Sequence, residues 1–501
     1  MMSARIAVVG GGVSGLAAAH RLRTVLGPAA SITLLEGSDR LGGVLRTVDL
    51  AGVAFDVGAE AFLVRRPEVT ELLDELGLGA QLTHPTAAAA SVRAGGRTVP
   101  LPTGTVLGVP GGGTCLDGVL SPAGLAAVVA ERDRPLRWMP GHDIGLGRLM
   151  RERFGDELTD RLIDPLLGGV YAGRVDALGL RATLPVLAAA LDAGAPSLTA
   201  AVDSATCPAW PGSPGELSDP PRRVVRSDTA SCPIPHGAAS VPAIPVFGAV
   251  RGGYQVLIDA LARAARADVR LRTTVREVQS SWDGWRLVLG SAAAPEFLDV
   301  DAVLLAVPAP ATARLLRAVA PDASRAASEI DLASSAVVAL AYRAVDAAAL
   351  PRSSGVLVAV DEPATVKAVT HSARKWAHLA PESTDGLVRL RASVGRFGQV
   401  APLQVEDVEL VAAVRADLAE LAGITAAPVA AHVQRWGGGL PQYAVGHLDR
   451  VRVIEAGMPS GLAVAGAALH GVGVPACIGT ARAAAERVAT GWAARRVAVG
   501  T

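Results

Sequence analysis

The sequence predicts an α/β chain, with α+β character overall, that begins with a strand–helix–strand unit. Residues 5–10 form a short apolar strand, residues 14–26 place apolar side chains on one face of a helix, and residues 31–36 form a second strand. Half of the 501 residues are hydrophobic, which suffices for several buried cores. Because a helix crosses over between the two strands, we expect them to lie parallel in one sheet.

The rest of the chain alternates between strands and helices. Residues 87–110 predict short strands with tight turns, whereas residues 121–190 predict helices that begin at Ser121-Pro122, a cap residue followed by proline. Prolines predict breaks in this helical stretch at Pro135, Pro140 and Pro165. The later patterns predict a helix through Leu257, Leu261 and Ala265, strands near 269–275, 285–289, 302–307 and within 335–400, a helix over 404–422, a strand over 462–465, and a last helix after Gly479.

Two stretches interrupt this alternation. Residues 196–245 are dominated by proline, glycine and serine, and they predict a mobile insertion or linker without chemistry of its own. Residues 461–481 are nearly uncharged over the length that a membrane-spanning helix needs. Their glycines and Pro475 favour a strand, a turn and a helix start instead, and peripheral membrane contact remains an alternative.

Charge and cysteine content narrow the function classes. The 47 basic and 47 acidic side chains give no net charge, so no nucleic-acid partner is predicted. Four cysteines without paired spacing or nearby histidine pairs predict no metal site. The first residues run directly into a strand without the segments of a secretory leader, so a cytoplasmic location is expected. No nucleophile–base or carboxylate pair stands out, and the catalytic residues stay unassigned.

The first strand and helix are joined by a glycine-rich turn, Gly10-x-Gly12-x-x-Gly15. The first glycine permits a tight turn, the second lets the backbone approach a pyrophosphate, and the third lets the helix pack on the strand. The helix N-terminus offers unpaired N–H groups to the phosphates. Glu36 ends the second strand, where a carboxylate accepts hydrogen bonds from ribose hydroxyls. The turn therefore predicts a dinucleotide site, with glycine used only for packing as the alternative.

A second motif, residues 39–43 (Asp-Arg-Leu-Gly-Gly), follows the acidic strand end. Paired glycines let a chain pass over a bulky cofactor, and an arginine can neutralise phosphate charge. With the fingerprint at this distance, the segment resembles the second FAD motif of the amine oxidase superfamily of flavoproteins. The resemblance implies non-covalent FAD in a glutathione-reductase-like Rossmann domain, interleaved with a mixed-sheet substrate domain and a helical domain.

Further stretches resemble one branch of that superfamily, the bacterial porphyrinogen oxidases of haem synthesis, in particular the Gram-positive and actinobacterial coproporphyrinogen III and protoporphyrinogen oxidases. The similarity covers the chain except for about 196–245. The matching segments are 55–63, 65–68, 76–78, 84–85, 101–105, 108–110, 165–173, 180–183, 246–248, 251–253, 435–436, 440–443, 446–447 and 473–478.

The resemblance assigns roles to residues of this sequence. It implies that the ADP half of FAD is held by Gly10, Gly11, Gly12, Val13, Ser14, Gly15, Glu36, Gly37, Arg40 and Gly43. The residues that pass near the flavin ring are Gly58, Ala59, Glu60 and Ala61. The backbone of Val275 contacts adenine, Trp436 lies near the cofactor, and the last helix points its N-terminus at the flavin from Val474, Pro475 and Ala476. For Val275 and Trp436, ordinary core packing is the alternative.

The resemblance also implies a domain division. The FAD-binding domain comprises 1–86, 246–310 and 436–501; the substrate-binding domain comprises 87–110, 190–245 and 311–435; and the helical domain comprises 111–189.

The implied reaction oxidises a porphyrinogen, a macrocycle with saturated bridges, by hydride transfer to the flavin, with oxygen as the final acceptor and hydrogen peroxide as the product. Such a substrate is flat and carries propionates, so we expect an apolar cleft with arginines at its edge. The candidate substrate contacts are Arg65, Arg66, Arg396 and Phe397. Solvated surface arginine and core phenylalanine are the alternatives. A haem-pathway enzyme partner is left open.

Three positions depart from the family pattern and bear on the substrate. Val44 stands where bacterial relatives are commonly basic, and Ala59 stands where many have proline. Ala90 stands where the mitochondrial enzymes carry an arginine, which favours coproporphyrinogen III over protoporphyrinogen IX. The alternatives are another oxidase of the superfamily, such as an amine oxidase or a desaturase, and a non-enzymatic scaffold of the same fold. Cys477 beside the flavin-facing loop is interpreted as a buried thiol rather than a covalent flavin attachment.

Overall fold

The computed structural model describes residues 3–206 and 245–499. Most of the stretch predicted as a linker, residues 207–244, lies outside the described residues. The strands are β1 Arg5–Val9, β2 Ser31–Leu35, β3 Thr47–Leu50, β4 Val53–Asp56, β5 Phe62–Leu63, β6 Leu82–Thr83, β7 Ala90–Ala94, β8 Arg97–Pro100, β9 Thr105–Val106, β10 Val109–Pro110, β11 Phe247–Val250, β12 Asp268–Arg270, β13 Val275–Ser281, β14 Gly284–Gly290, β15 Pro295–Val300, β16 Ala302–Leu305, β17 Leu332–Arg343, β18 Gly355–Val358, β19 Val366–Thr370, β20 Leu387–Val394, β21 Ala430–Pro441 and β22 Leu462–Val464.

The α-helices are distributed along the described chain between these strands. They are α1 Val13–Leu26, α2 Glu68–Glu75, α3 Pro122–Ala130, α4 Leu146–Phe154, α5 Asp156–Leu158, α6 Asp164–Tyr171, α7 Leu180–Thr183, α8 Pro185–Asp192, α9 Leu198–Thr206, α10 Tyr254–Ala265, α11 Ala309–Leu316, α12 Pro321–Ser328, α13 Ser372–Lys375, α14 Asp407–Ala422, α15 His447–Ala456 and α16 Val474–Val499.

A parallel sheet in the order β12–β2–β1–β16–β22 forms the first layer. The register pairs Ile6 with Ile32 and with Ala302, which confirms the predicted parallel strand–helix–strand unit. One buried cluster packs α1, α10 and α16 against this sheet, and another packs α11, α12 and the antiparallel sheet β13–β14–β15. A parallel sheet needs cover on both faces, which explains why the central strands β1 and β16 are almost entirely apolar.

A second sheet, in the order β21–β17–β20–β19–β18–β7–β8, is antiparallel except between β18 and β7. Side chains alternate along β17 between its two faces. Leu340 and its alternate neighbours pack with α14, whereas Val337, Ala339 and Ala341 pack with Phe55 and Val57 near the first domain. The face opposite α14 is therefore the one that meets the segment predicted to lie near the flavin.

The helical lobe, α3–α9, has its own buried core. Its first helix begins as predicted, because the Ser121 hydroxyl caps the Gly124 N–H at 3.1 Å. The predicted break at Pro165 is wrong, since a π-helical segment, Thr159–Ile163, leads directly into α6. A π turn widens the helix and accommodates a residue that has no N–H to donate.

The structure corrects the start of the predicted linker. Residues 198–206 form α9, and Leu198, Ala201 and Val202 join the core of the helical lobe instead of the substrate domain to which the sequence analysis assigned them. Glu131 holds the start of this helix in place. It is fully buried, and it accepts hydrogen bonds from the Leu198 N–H at 2.8 Å and the Thr199 hydroxyl at 2.7 Å. Glu131 thus caps α9.

The last helix begins at Val474, as the family resemblance implies, and not after Gly479, as the local pattern predicts. The expected strand and glycine-rich turn precede it, with β22 at Leu462–Val464. None of the helices in the described part of the chain combines the length and the apolar character that crossing a membrane requires.

The buried ion pair that secures α9 can be tested. Glu131 accepts from Arg153 Nη2 at 2.7 Å and Nε at 3.0 Å. Glu131→Ala leaves a buried guanidinium without its counter-ion, and we expect it to lower the free energy of unfolding by about 3–5 kcal/mol. Thermal unfolding is the measurement. Glu152→Ala, which removes an exposed partner of Arg148, is the control and should leave the melting temperature unchanged; equal melting temperatures for both variants would contradict the assignment.

Candidate cofactor and substrate site

The turn between β1 and α1 depends on glycine at two positions. Gly10 has φ +108°, and a Cβ there would overlap the carbonyl oxygen of Ala306. A Cβ at Gly15 would overlap the carbonyl oxygen of Gly10, so α1 could not stay this close to β1. These contacts confirm the packing roles that the fingerprint predicts for these two glycines.

The outer side of the same turn is open. The nearest atom to a Cβ built on Gly12 is the Gly43 Cα at 3.9 Å, and Gly12 forms an isolated bridge with Gly42. No side chain caps the N-terminus of α1, and no acidic residue lies in its first turn. Unpaired N–H groups and the positive end of the helix dipole therefore meet an unobstructed surface, which suits a phosphate.

Glu36 and Arg40 shape the loops around this surface. The Glu36 carboxylate accepts from the Gly11 N–H at 2.6 Å and from the Ser38 N–H at 2.7 Å. Arg40 donates to the carbonyl oxygens of Leu41, Gly43 and Leu45, which shows that it braces the glycine loop. The carboxylate, the bare glycines and the free helix end together fit the ADP half of FAD.

The segment at 56–60 is held by side chains from the second sheet. Buried Arg391 on β20 donates to the carbonyl oxygens of Asp56 at 3.0 Å and Gly58 at 2.7 Å. Trp436 on β21 donates its Nε1–H to the Val57 carbonyl oxygen at 3.0 Å. A Cβ on Gly58 would overlap the carbonyl oxygen of Val44. Trp436 therefore lies beside this segment. Arg391, which holds the same segment, was not among the predicted site residues.

Glu60 forms a buried ion pair with Lys375, whose Nζ lies 2.9 Å from its carboxylate, and it accepts from the Ser372 hydroxyl at the same distance. Burial alone would raise the pKa of Glu60, but Lys375 and Arg391 outweigh it and hold the pKa at about 2. Glu60 is thus ionised at neutral pH. Lys375 was missed as a site residue, although it is one of only two lysines, Lys367 and Lys375, in a chain whose other cations are arginines.

Three stretches from distant parts of the chain meet at Tyr443. Its ring centroid lies 5.5 Å from that of Tyr171 and 3.8 Å from that of His447, with which it stacks. Its hydroxyl donates to the Ala467 carbonyl oxygen at 2.6 Å and accepts from the Gly471 N–H at 2.8 Å. Tyr443 therefore fixes the loop that leads into Val474–Ala476 at the start of α16.

The predicted substrate residues occupy different environments. Arg65 and Arg66 are both exposed, and Arg66 Nη2 lies 3.5 Å from the Glu68 carboxylate. Arg396 is buried and donates to the Val358 carbonyl oxygen at 3.1 Å, so it lies inside the protein and not on the exposed surface. Phe397 follows it and is partly exposed, and its N–H donates to the Ala172 carbonyl oxygen at 2.7 Å.

Two further predicted residues are buried. Val275 begins β13 and packs in the cluster that contains Leu35 at the end of β2. Cys477 is a free, buried thiol, and burial raises its pKa to about 11. A protonated thiol is a poor nucleophile, which agrees with the expectation that it does not attach the flavin.

Residues 13–489 match the model of the flavin containing amine oxidoreductase family. The chain belongs to this family. The membership confirms FAD as the cofactor, and it confirms the predicted α/β fold with a glycine-rich dinucleotide turn.

Comparison with individual relatives indicates which members of the family the chain is similar to. The chain is 44% identical to coproporphyrinogen III oxidase of Mycobacterium tuberculosis (strain ATCC 25618 / H37Rv) over 481 residues, 96% of each chain. It is 33% identical to coproporphyrinogen III oxidase of Propionibacterium freudenreichii over 96% of this chain and 90% of that one. A crystal structure from Exiguobacterium sp. 255-15, assigned as a protoporphyrinogen oxidase, superposes with a TM-score of 0.78 at 28% identity and covers 98% of this chain and 99% of its own. The predicted resemblance to the bacterial porphyrinogen oxidases is confirmed.

The close packing at Gly15 predicts a loss of cofactor on substitution. Gly15→Ala places a methyl group against the Gly10 carbonyl oxygen, which moves α1 away from β1 and spoils the phosphate surface. We expect flavin affinity to fall by about tenfold or more, measured by absorbance of the bound flavin after dialysis. Gly113→Ala, at a position with no atom within 4 Å of the added Cβ, is the matched control and should retain its flavin. Full flavin retention by Gly15→Ala would contradict this account.

The His447 contact predicts a loss of stability in acid. Burial lowers the pKa of His447 from 6.5 to about 4, while its Nε2–H donates to the Leu469 carbonyl oxygen at 3.0 Å. Because the unfolded chain takes up this proton first, the contribution is present above pH 6.5 and is lost as the pH falls through 4, a change of about 3 kcal/mol. Melting temperatures across this range should fall less steeply for His447→Gln than for wild type, whereas His142→Gln, at an exposed position, should follow wild type.

Proposed function

We propose that this chain oxidises coproporphyrinogen III to coproporphyrin III. The observation that carries the proposal is the 44% identity to the Mycobacterium tuberculosis coproporphyrinogen III oxidase across 96% of both chains. The buried Tyr171–Tyr443 junction adds to it, because it brings together the segments 165–173, 440–443 and 473–478 that carry the resemblance to porphyrinogen oxidases.

The proposed reaction removes three hydrides from bridge carbons and three protons from the macrocycle. Bound FAD supplies the hydride acceptor, and reduction of three molecules of oxygen to hydrogen peroxide balances the electrons. The protein's task is then to position the macrocycle, exclude water and maintain a suitable charge distribution. The backbone at 56–60, clamped by Arg391 and Trp436, and the ionised Glu60 provide a rigid wall for this purpose.

We further propose the binding roles of the individual residues. The ADP half lies against Gly10–Gly15, Glu36, Gly37 and Gly43, with adenine against the backbone of Val275. The flavin ring lies between 58–61 and 474–476. Arg65, Arg66 and Phe397 contact the macrocycle or its propionates. In this scheme the parallel sheet with its helices is the FAD-binding domain, the seven-stranded sheet is the substrate-binding domain, and α3–α9 form the helical domain.

We also propose a cytoplasmic location for the chain. Docking of a haem-pathway enzyme and peripheral contact with a membrane are open to experiment. Protoporphyrinogen IX is the second candidate substrate, because the Exiguobacterium structure that superposes over nearly the whole chain is assigned to that activity.

The proposed function predicts a preference between two substrates. Purified holoenzyme is supplied with coproporphyrinogen III and, separately, with protoporphyrinogen IX under air, while porphyrin fluorescence and peroxide are followed. We expect coproporphyrin to form faster, with three molecules of peroxide for each porphyrin. Faster formation of protoporphyrin would establish the second candidate, and a flavin-loaded protein inert toward both would overturn the proposal.

A further inference from the structure

Two buried cations at the junction of the second sheet and the helical lobe have no anionic partner. Lys367 is 7% exposed and Arg396 is 8% exposed. Neither lies within 4.0 Å of a carboxylate among the described residues, and the Arg396 guanidinium makes its hydrogen bond to a neutral carbonyl oxygen, that of Val358. Buried charges are normally paired, because removing an ion from water is costly. These two cations therefore call for an anion.

The carboxylate whose charge acts on both side chains is that of Asp164, and it forms an ion pair with neither of them among the described residues. Asp164 on α6 is fully buried; one of its oxygens accepts from the Val175 N–H at 3.0 Å, and the other has no hydrogen-bond partner. Its charge acts on both Lys367 and Arg396, while Arg174 adds a further positive charge nearby. Two buried basic side chains, Lys367 and Arg396, thus share the influence of one buried carboxylate, whereas Arg174 is partly exposed and lies 3.9 Å from Asp176.

A backbone irregularity turns Lys367 toward this group. The register between β19 and β20 pairs Val366 with Val394 and Ala368 with Ser393, which leaves Lys367 as the extra residue of a β-bulge. Val366 and Val369 pack in the cluster beneath α14, whereas Lys367 interacts with Asp164 on α6. Bulges are common beside active sites, where they redirect a side chain. The bulge accounts for Val366 and Val369, three residues apart, lying in the same cluster, while Lys367 between them stays outside it.

The group lies beside the proposed substrate cleft. Phe397, the residue after Arg396, bonds to the backbone of Ala172, the residue that ends α6. Tyr171, next to it, contacts Tyr443, whose hydroxyl holds the loop before α16. Arg396 therefore adjoins Phe397, which is proposed to contact the macrocycle and which is bonded to the segment that carries Tyr171.

We propose that Lys367 and Arg396 form a carboxylate subsite that takes one propionate of the porphyrinogen, with Lys367 as a specificity-determining residue. The inference rests on the proposed function and deepens it. The bound propionate supplies the missing anion and can accept from both the ammonium and the guanidinium, and such charge-assisted hydrogen bonds are the stronger kind.

The pKa of Lys367 agrees with the binding of a carboxylate. Burial and, to a smaller extent, Arg396 lower the pKa of Lys367 to about 7, with Asp164 opposing the change. Binding of a carboxylate favours the charged ammonium and adds to the affinity.

The test compares variants of the flavin-loaded enzyme. Lys367→Met and Lys367→Gln remove the charge, Lys367→Arg restores it, and Arg97→Met removes an exposed charge from the far edge of the same sheet as the matched control. KM and kcat for coproporphyrinogen III are measured, together with the affinity of the oxidised enzyme for coproporphyrin III by fluorescence titration. Flavin content and melting temperature are recorded for every variant.

We expect both neutral variants to raise KM and to weaken porphyrin binding by about 10- to 100-fold, with kcat within about twofold of wild type. Lys367→Arg should remain within about threefold of wild type, and Arg97→Met should match it. Unchanged KM and porphyrin affinity in the neutral variants of an active enzyme would overturn this inference alone. Loss of flavin or of stability in both neutral variants would assign the ammonium to the fold and overturn it as well. A wild type inert toward both porphyrinogens would overturn the proposed function, and the inference with it.

Discussion

The two hydrogen bonds from Arg391 to the backbone at Asp56 and Gly58 are the interaction on which the arrangement of the site depends. The donor lies on the seven-stranded sheet, and the acceptors lie on the segment that leaves the FAD-binding domain. Buried carbonyl groups require donors, and a guanidinium supplies several in a fixed plane. Trp436 adds a third donor from a neighbouring part of the same sheet face. The seven-stranded sheet therefore positions the backbone at 56–58, which leads into the segment proposed to lie beside the flavin.

Charge is placed unevenly around this clamp. On one side, Glu60 is fully compensated by Lys375 and Ser372 and stays ionised. On the other, Lys367 and Arg396 form no ion pair among the described residues, and the Asp164 carboxylate near them has one oxygen without a hydrogen-bond partner. Completely paired buried charges serve structure, whereas an unpaired excess is tolerated where a ligand completes it. The contrast agrees with the proposal that the first group positions the cofactor and the second binds an anionic part of the substrate.

The helical lobe is joined to the cofactor region through aromatic rings and backbone contacts. Tyr171 at the end of α6 meets Tyr443, which stacks on His447 and holds the loop before α16. The last helix of the same lobe is α9, and buried Glu131 caps its first turn. One continuous set of contacts thus runs from the lobe to the N-terminus of the last helix. A shift of the lobe would move both the wall of the cleft and the loop that the family places at the flavin.

The sequence by itself determined the dinucleotide turn, because local spacing dictates where Gly10, Gly15 and Glu36 stand relative to one strand and one helix. The cofactor class and the family followed from the resemblance of longer segments to known flavoproteins, and so did the expectation that Trp436 lies near the cofactor. The start of α3 was predicted from the local cap signal at Ser121-Pro122. The sequence did not reveal Arg391, Lys375 or the bulge at Lys367, since their partners lie far away in sequence and a strand arginine or lysine looks like surface charge. The linker prediction was wrong over 198–206 for the same reason: Glu131, about 70 residues earlier, supplies the cap that local composition lacks. Only the tertiary structure decides which buried charges find partners, because that pairing depends on the register between strands and on how the domains meet.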